Sequence, residues 1–161
     1  MEKEVKEIRT EKDLENFLKE RNIKYKFIDR PESTKIEEII KKTKFKSTQI
    51  AKSLVLKDEK NNGYIAIIRG DTKLNIKKLK KLLRVNKLGL VSKDEATKYS
   101  GYLTGATPPV YHRLPMKAII DRKVLDNKTI MVGGGSRSKL VELKVQDIIK
   151  LSKALIAEIS N

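Results

Sequence analysis

The chain has 161 residues and a mass of 18.4 kDa. That is one domain by the usual length prior, and a domain of this size buries roughly 70% of the surface its unfolded chain exposes. The 37 Lys and Arg outnumber the 21 Asp and Glu, giving a formal net charge of +16, and 29 of those cations are lysines. Without cysteine there is no disulfide framework, thiolate metal site, thiol nucleophile or redox dithiol. No apolar run approaches the roughly 18 residues of a membrane span. Met1 to Arg9 alternates in charge without the apolar stretch of a secretory signal. The expectation is a cytoplasmic protein with no membrane partner. The charge excess fits a polyanionic partner, most simply nucleic acid; it fits equally well a lysine-rich surface that serves solubility.

With no repeat, low-complexity tract or long linker, residues 1–161 read as a single domain. Thr10 with Asp13 resembles a capping box, and Leu14, Phe17 and Leu18 form the apolar face of a helix ending near Asn22. Tyr25, Phe27 and Ile28 predict a short strand, broken by Asp29 to Thr34; Ile36, Ile39 and Ile40 then return to helical spacing. Gln49 to Leu56 and Tyr64 to Ile68 predict two strands joined by a turn at Asn61-Asn62-Gly63. Leu74 to Leu83 predicts a helix, Leu88 to Val91 a brief strand, and Ser92 with Glu95 the cap of a short helix reaching Tyr99. Gly101 to Pro109 carries the strongest loop chemistry. Ala118 to Ile120, Thr129 to Val132 and Leu140 to Leu143 predict strands, and a last helix is expected from about Lys144 to Ile159 with Leu155 on its inner side. Strands and helices interleave irregularly, which favours an α+β fold with a mixed sheet over a doubly wound parallel one.

Gly133-Gly134-Gly135-Ser136-Arg137-Ser138-Lys139 lacks the spacing of a Walker loop, because Lys139 follows Ser138 and a strand pattern comes next. What remains is a turn whose glycines let backbone approach a neighbour or an oxyanion. His112 is the sole histidine, with no nucleophile elbow to serve and no second ligand for zinc, so it reads as a loop residue. Asp71 and Asp121 each end an apolar run, where turn capping is the common role. Lys52 stands apart: by alternation it shares a strand face with Ile50, Leu54 and Leu56. A cation on such a face either snorkels to solvent or lines a cavity.

Several segments together resemble the YbaK/prolyl-tRNA synthetase insertion-domain family of aminoacyl-tRNA editing deacylases. They are Ile50 to Leu56 with its Lys-Ser-Leu; Tyr64 to Asp71 followed by Leu74; Ser100-Gly101-Tyr102-Leu103-Thr104-Gly105-Ala106-Thr107-Pro108-Pro109; Ile119-Ile120-Asp121; and Gly134-Gly135-Ser136 followed by Val141-Glu142-Leu143. The likeness runs in order from about residue 10 to 159 and is closest to free-standing, trans-editing members. It implies a mixed, largely antiparallel, partly barrel-like sheet with flanking helices, and hydrolysis of the ester on mischarged tRNA without a cofactor or metal. It makes Lys52 the central catalytic residue. Ser53, Gly101, Tyr102, Gly105, Ala106 and Pro108 then fall on one pocket wall, and Gly134, Gly135 and Ser136 on the opposite wall. The resemblance also implies that the tRNA's own ribose hydroxyl assists the attacking water. Ala106 replaces a second glycine of many members, Leu140 aligns with an Asp of Cys-tRNA(Pro)-type deacylases, and Ser53 is nearer the family's Thr variant than its Asn variant. Leu140 thereby weakens a cysteine-specific reading, and the edited amino acid is expected to be small, alanine first and cysteine next, on tRNA(Pro) or a related tRNA. The partner is the tRNA acceptor end, with an aminoacyl-tRNA synthetase as a further candidate, and the acceptor stem is expected on Lys44 and Lys46 or on Lys77, Lys78, Lys80 and Lys81. The alternatives are a non-catalytic RNA-binding module and a protein that accompanies a synthetase.

Overall fold

The computed structural model describes residues 7–32 and 35–161. The elements run α1 (Glu11–Glu20), β1 (Tyr25–Asp29), α2 (Ile36–Thr43), β2 (Ala51–Asp58), β3 (Gly63–Arg69), α3 (Ile76–Leu83), β4 (Leu88–Leu90), α4 (Lys93–Ser100), β5 (Lys117–Asp121), β6 (Thr129–Gly133), β7 (Lys139–Lys144), α5 (Val145–Ser152) and β8 (Leu155–Ala157). The expectation for Met1 to Lys6, and that for Ser33 and Thr34, lie outside the described residues. Short 3-10 turns at Ser47–Gln49 and Arg122–Asp126 were not foreseen.

The strands form two open sheets. One has the order β4-β2-β3-β5-β8, antiparallel across β4, β2 and β3 and parallel across β3, β5 and β8; the other is antiparallel with the order β1-β7-β6. A bridge between Ile50 and Met131 connects β6 to the start of β2, and the sheets do not close into a barrel. Between them lies the principal core, with Leu14, Leu18, Ile67, Ile120, Val132, Val141 and Ile148 fully buried. On the other face of the larger sheet, Leu79 of α3 packs with Leu56, Tyr64, Ala66, Ile68 and Ile119. Strand β3 is thus covered on both faces, which explains why Tyr64 to Ile68 is an unbroken apolar run rather than an alternating one.

The expected C-terminal helix is shorter than its apolar pattern. It stops at Ser152 because Lys153 takes a left-handed conformation (φ 54°) and its N–H caps the Ile149 carbonyl. Leu155 to Ala157 then pair with β5, and Leu155 is exposed rather than inward. Asp121 fixes this tail: one carboxylate oxygen accepts from the Ile159 and Ser160 N–H groups and the other from the Ser160 hydroxyl. It also caps the following turn through the Lys123 N–H, as expected for a residue ending an apolar run.

The β2–β3 turn depends on Asp58. Its carboxylate accepts from the Tyr64 hydroxyl (2.8 Å), the Asn62 side chain and N–H (both 3.0 Å) and the Lys60 N–H (2.8 Å). Burial pushes the Asp58 carboxyl up, but these hydrogen bonds outweigh it and hold the pKa at about 2. An unfolded Asp titrates near 3.9. The carboxylate therefore stabilises the fold fully above about pH 4, and that contribution is lost as pH falls through about 2. Asp58→Asn is expected to lower the urea midpoint at pH 7, with the gap to the parent protein closing between about pH 4 and pH 2. A gap independent of pH would remove the carboxylate from this role.

Candidate active site

Strand β2 is paired unequally. Strand β3 lies opposite Ala51 to Lys57, whereas β4 reaches only Leu56 to Asp58. The backbone bonds on either side fix which groups point where. Gly70 N–H donates to the Ile50 carbonyl on the β3 side, and Val91 N–H donates to the Val55 carbonyl on the opposite side. By the alternation of an antiparallel ladder, Lys52 and Leu54 turn their N–H and C=O toward β3, while Ala51, Ser53 and Val55 turn theirs outward. Near Ala51 the bridge to Met131 brings β6 alongside, and near Val55 there is Val91. Among the described residues, no strand lies opposite the outward edge of Ser53, midway between them.

A cavity of about 270 Å³ follows this open edge. Its floor is Ile50 to Val55; Ile36 and Ile39 of α2 with Leu140 of β7 form an apolar side, and Leu90, Val91, Lys93 and Ala96 form the other. Thr104, Gly105 and Thr107 close it, with Arg30 and Gly133 at the same end. Lys52 is half-buried here, opposite Ile68 in the β2–β3 ladder. The Ser53 hydroxyl is buried without a hydrogen-bond partner. Such an orphan costs about 1–3 kcal/mol, and because the hydroxyl is buried it is the rest of Ser53 that lines the cavity.

The 104–107 wall is fixed from outside by three successive carbonyls. Thr104 accepts from Arg137 Nε (2.9 Å), Gly105 from an Arg30 terminal nitrogen (2.9 Å) and Ala106 from the Gly135 N–H (2.9 Å). Arg30 is 8% exposed. Burial, and then repulsion from Arg137, lower its pKa from the usual guanidinium value. Gly133 lies directly beneath the wall, and a Cβ there would collide with the Thr107 carbonyl.

Of the residues singled out in the sequence, Lys52, Ser53, Gly105 and Leu140 line this cavity. The others surround or support it. Gly101 caps α4 in the left-handed region (φ 88°), with Arg9 and Arg113 closest to the place of a side chain. Tyr102 is fully buried, and that burial raises its pKa far above the usual phenol value. Ala106 is buried behind the loop, and the Pro108 carbonyl lies 2.7 Å from His112 Nε2. A carbonyl cannot donate, so that ring nitrogen carries the proton; burial also lowers the His112 pKa and favours the neutral ring. Gly134 N–H donates to the Lys139 carbonyl within the β6–β7 turn. Gly135 takes φ 92° where the turn meets the backbone of Glu11, and the Ser136 hydroxyl bonds the Glu11 carboxylate. This turn therefore packs on the start of α1 and reaches the cavity through its bond to Ala106. Lys44 and Lys46 follow α2, and Lys77, Lys78, Lys80 and Lys81 lie on α3, where Lys78 Nζ donates to the Ser160 carbonyl.

Sequence reasoning passed over Arg30 and Lys93, and it quoted Thr104, Thr107 and Gly133 within motifs without naming them as site residues. Arg30 offered one signal, a cation at the end of an apolar strand just before Pro31. Gly133 was visible only as the first of three glycines.

The aminoacyl-tRNA editing domain family matches residues 30–151, and the chain belongs to that family. EbsC of Enterococcus faecalis, provisionally named a Cys-tRNA(Pro)/Cys-tRNA(Cys) deacylase, is 24% identical over 136 residues, covering 84% of this chain and 83% of its own. The prolyl-tRNA editing protein ProX of Acetoanaerobium sticklandii is 27% identical over 142 residues, covering 85% and 87%. A crystal structure of a hypothetical protein superposes with a TM-score of 0.85 at 25% identity, covering 92% of this chain and 99% of that one. The α+β architecture with a mixed sheet is thus the editing-domain fold, realised as two open sheets.

Gly133→Ala is expected to cost roughly 1–3 kcal/mol, the usual range for overfilling a packed site, because the Thr107 backbone must move. Urea unfolding measures it, and an unchanged midpoint would show that the wall is free to shift.

Proposed function

We propose that this protein hydrolyses the aminoacyl ester of mischarged tRNA in trans, with a small amino acid such as alanine or cysteine on tRNA(Pro) or a related tRNA as substrate. The observation that carries this reading is the cavity itself, in which Lys52, the open backbone edge at Ser53 and the clamped 104–107 wall converge. Its size supports a small side chain beside a ribose, below the roughly 300–1,000 Å³ of most small-molecule pockets. A synthetase pocket built for proline cannot firmly reject smaller amino acids, since one methylene is worth only about 1–3 kcal/mol. A second, smaller pocket can.

An aminoacyl ester is already activated. Hydrolysis needs a placed water and stabilisation of the negative charge that develops on the carbonyl oxygen. Lys52 supplies a fixed positive charge for that oxygen, and the vicinal hydroxyl of the terminal ribose takes the proton of the attacking water. The water oxygen bonds to the carbonyl carbon, the C–O ester bond breaks, and the proton passes to the departing ribose oxygen.

Lys52→Ala is expected to lower deacylation of Ala-tRNA(Pro) by about 10²-fold or more, the scale of losing one group that stabilises the oxyanion, while the thermal midpoint stays near that of the parent. Unchanged turnover in a folded variant would overturn the assignment. Ser53→Ala removes a buried hydroxyl without a partner and is expected to leave the thermal midpoint unchanged or raised; a lower midpoint would show that the hydroxyl supports the fold.

We place the acceptor stem along α2 rather than α3, because Ile36 and Ile39 of α2 line the cavity and its exposed face leads to Lys44 and Lys46. Each Lys→Gln substitution there is expected to reduce the slope of log binding constant against log salt by about 1. An equal effect from Lys77 and Lys81 on α3 would move the stem to that helix.

A further inference from the structure

The open edge at Ser53 has a chemistry that the ester-cleaving groups do not use. Its N–H and C=O leave the strand in the same direction, into the cavity, with β4 ending on one side and β6 turning away on the other. The gap between the Met131 bridge and Val91 exposes the outward groups of one residue, bordered by those of Ala51 and Val55. That is too short to seat a peptide strand, which needs several outward residues in succession. It matches a flat ligand that presents one acceptor beside one donor. Apolar side chains flank the edge: Leu54 and Val91 are half-buried, and Leu90 at the mouth is 55% exposed although it is a large hydrophobic.

We propose that this edge reads the terminal adenine of the tRNA. Ser53 N–H donates to adenine N1, an outward carbonyl of the same edge accepts from the exocyclic amine, and the base lies against Leu90. The proposal rests on the deacylase reading for the identity of its ligand and adds to it the groups that select the base. It also gives adjacent residues separate tasks. Successive strand side chains point to opposite faces while backbone groups lie in the plane of the sheet, so the Ser53 edge holds the base while the neighbouring Lys52 ammonium serves the ester. Inosine has the opposite pattern, an N1–H donor and an O6 acceptor, and sets N–H against N–H at Ser53. A site built around hydrogen bonds rejects a ligand that leaves them unmade far more strongly than an apolar site rejects a change of size.

The test is a titration of the full chain with adenosine 5′-monophosphate, purine riboside 5′-monophosphate and inosine 5′-monophosphate, followed by the backbone amide signals in NMR. The expected result is a downfield shift of the Ser53 amide proton with the adenosine nucleotide. The dissociation constant should be at least tenfold lower than for the inosine nucleotide, with purine riboside between them. A Ser53 amide that does not move, or equal affinity for the adenosine and inosine nucleotides, overturns the proposal. Because the readout is binding and not turnover, loss of the deacylase assignment in the Lys52 experiment leaves this result interpretable by itself.

Discussion

One strand with an incomplete partner organises the molecule. Strand β2 has β3 along its whole working length, but β4 is only three residues long and stops where Ser92 caps α4. On the other end β6 touches the start of β2 at a single bridge and then turns into the β6–β7 hairpin. An unpaired strand edge in a protein interior leaves polar backbone groups that need partners. Here the gap is roofed by a loop and a helix instead of a strand, and the space that remains is the cavity. Burial on both faces of the larger sheet keeps β2 rigid, so the edge is presented in a defined geometry.

The roof needs its own support, because a loop is the part of a site most easily displaced. Two guanidinium groups and one backbone N–H hold three consecutive carbonyls of the 104–106 segment. Arginine suits this work better than lysine, since its planar fork presents several donors in a fixed arrangement and stays charged when burial lowers its pKa. The glycines at 133 and 135 contribute through absence. At 133 the missing side chain lets the Thr107 carbonyl approach, and at 135 it lets the turn lie against α1. The site is therefore a small reactive edge within a larger supporting frame, and most of the glycine-bearing residues belong to the frame.

That division explains what was legible in the sequence. Periodicity located α2, α3 and seven of the strands, and together with the caps at Thr10 and Ser92, each of which accepts a backbone N–H where a helix begins, it located α1 and α4. Periodicity failed at the C-terminus, where Leu155 continues the helical spacing of Ile148 and Leu151 while the backbone has already reversed at Lys153. Lys52 was legible because a cation on an apolar strand is costly and conspicuous. Arg30 was not, since its partner is the carbonyl of Gly105, 75 positions away, and no local pattern records such a contact. Nor could the sequence distinguish glycines that face a ligand from glycines that admit a neighbouring backbone.

The wall of the cavity also has a history in time. Its clamps come from Arg30 near the start of the chain and from Arg137 and Gly135 near its end, and β1 meets β7 only by joining Tyr25 to Leu143. During synthesis the β2–β3 hairpin emerges before the β6–β7 hairpin. A nascent chain thus carries Lys52 before the groups that fasten the roof above it have been made. Completion of the smaller sheet is the event that turns an exposed strand edge, open to wrong pairing with other chains, into an enclosed site.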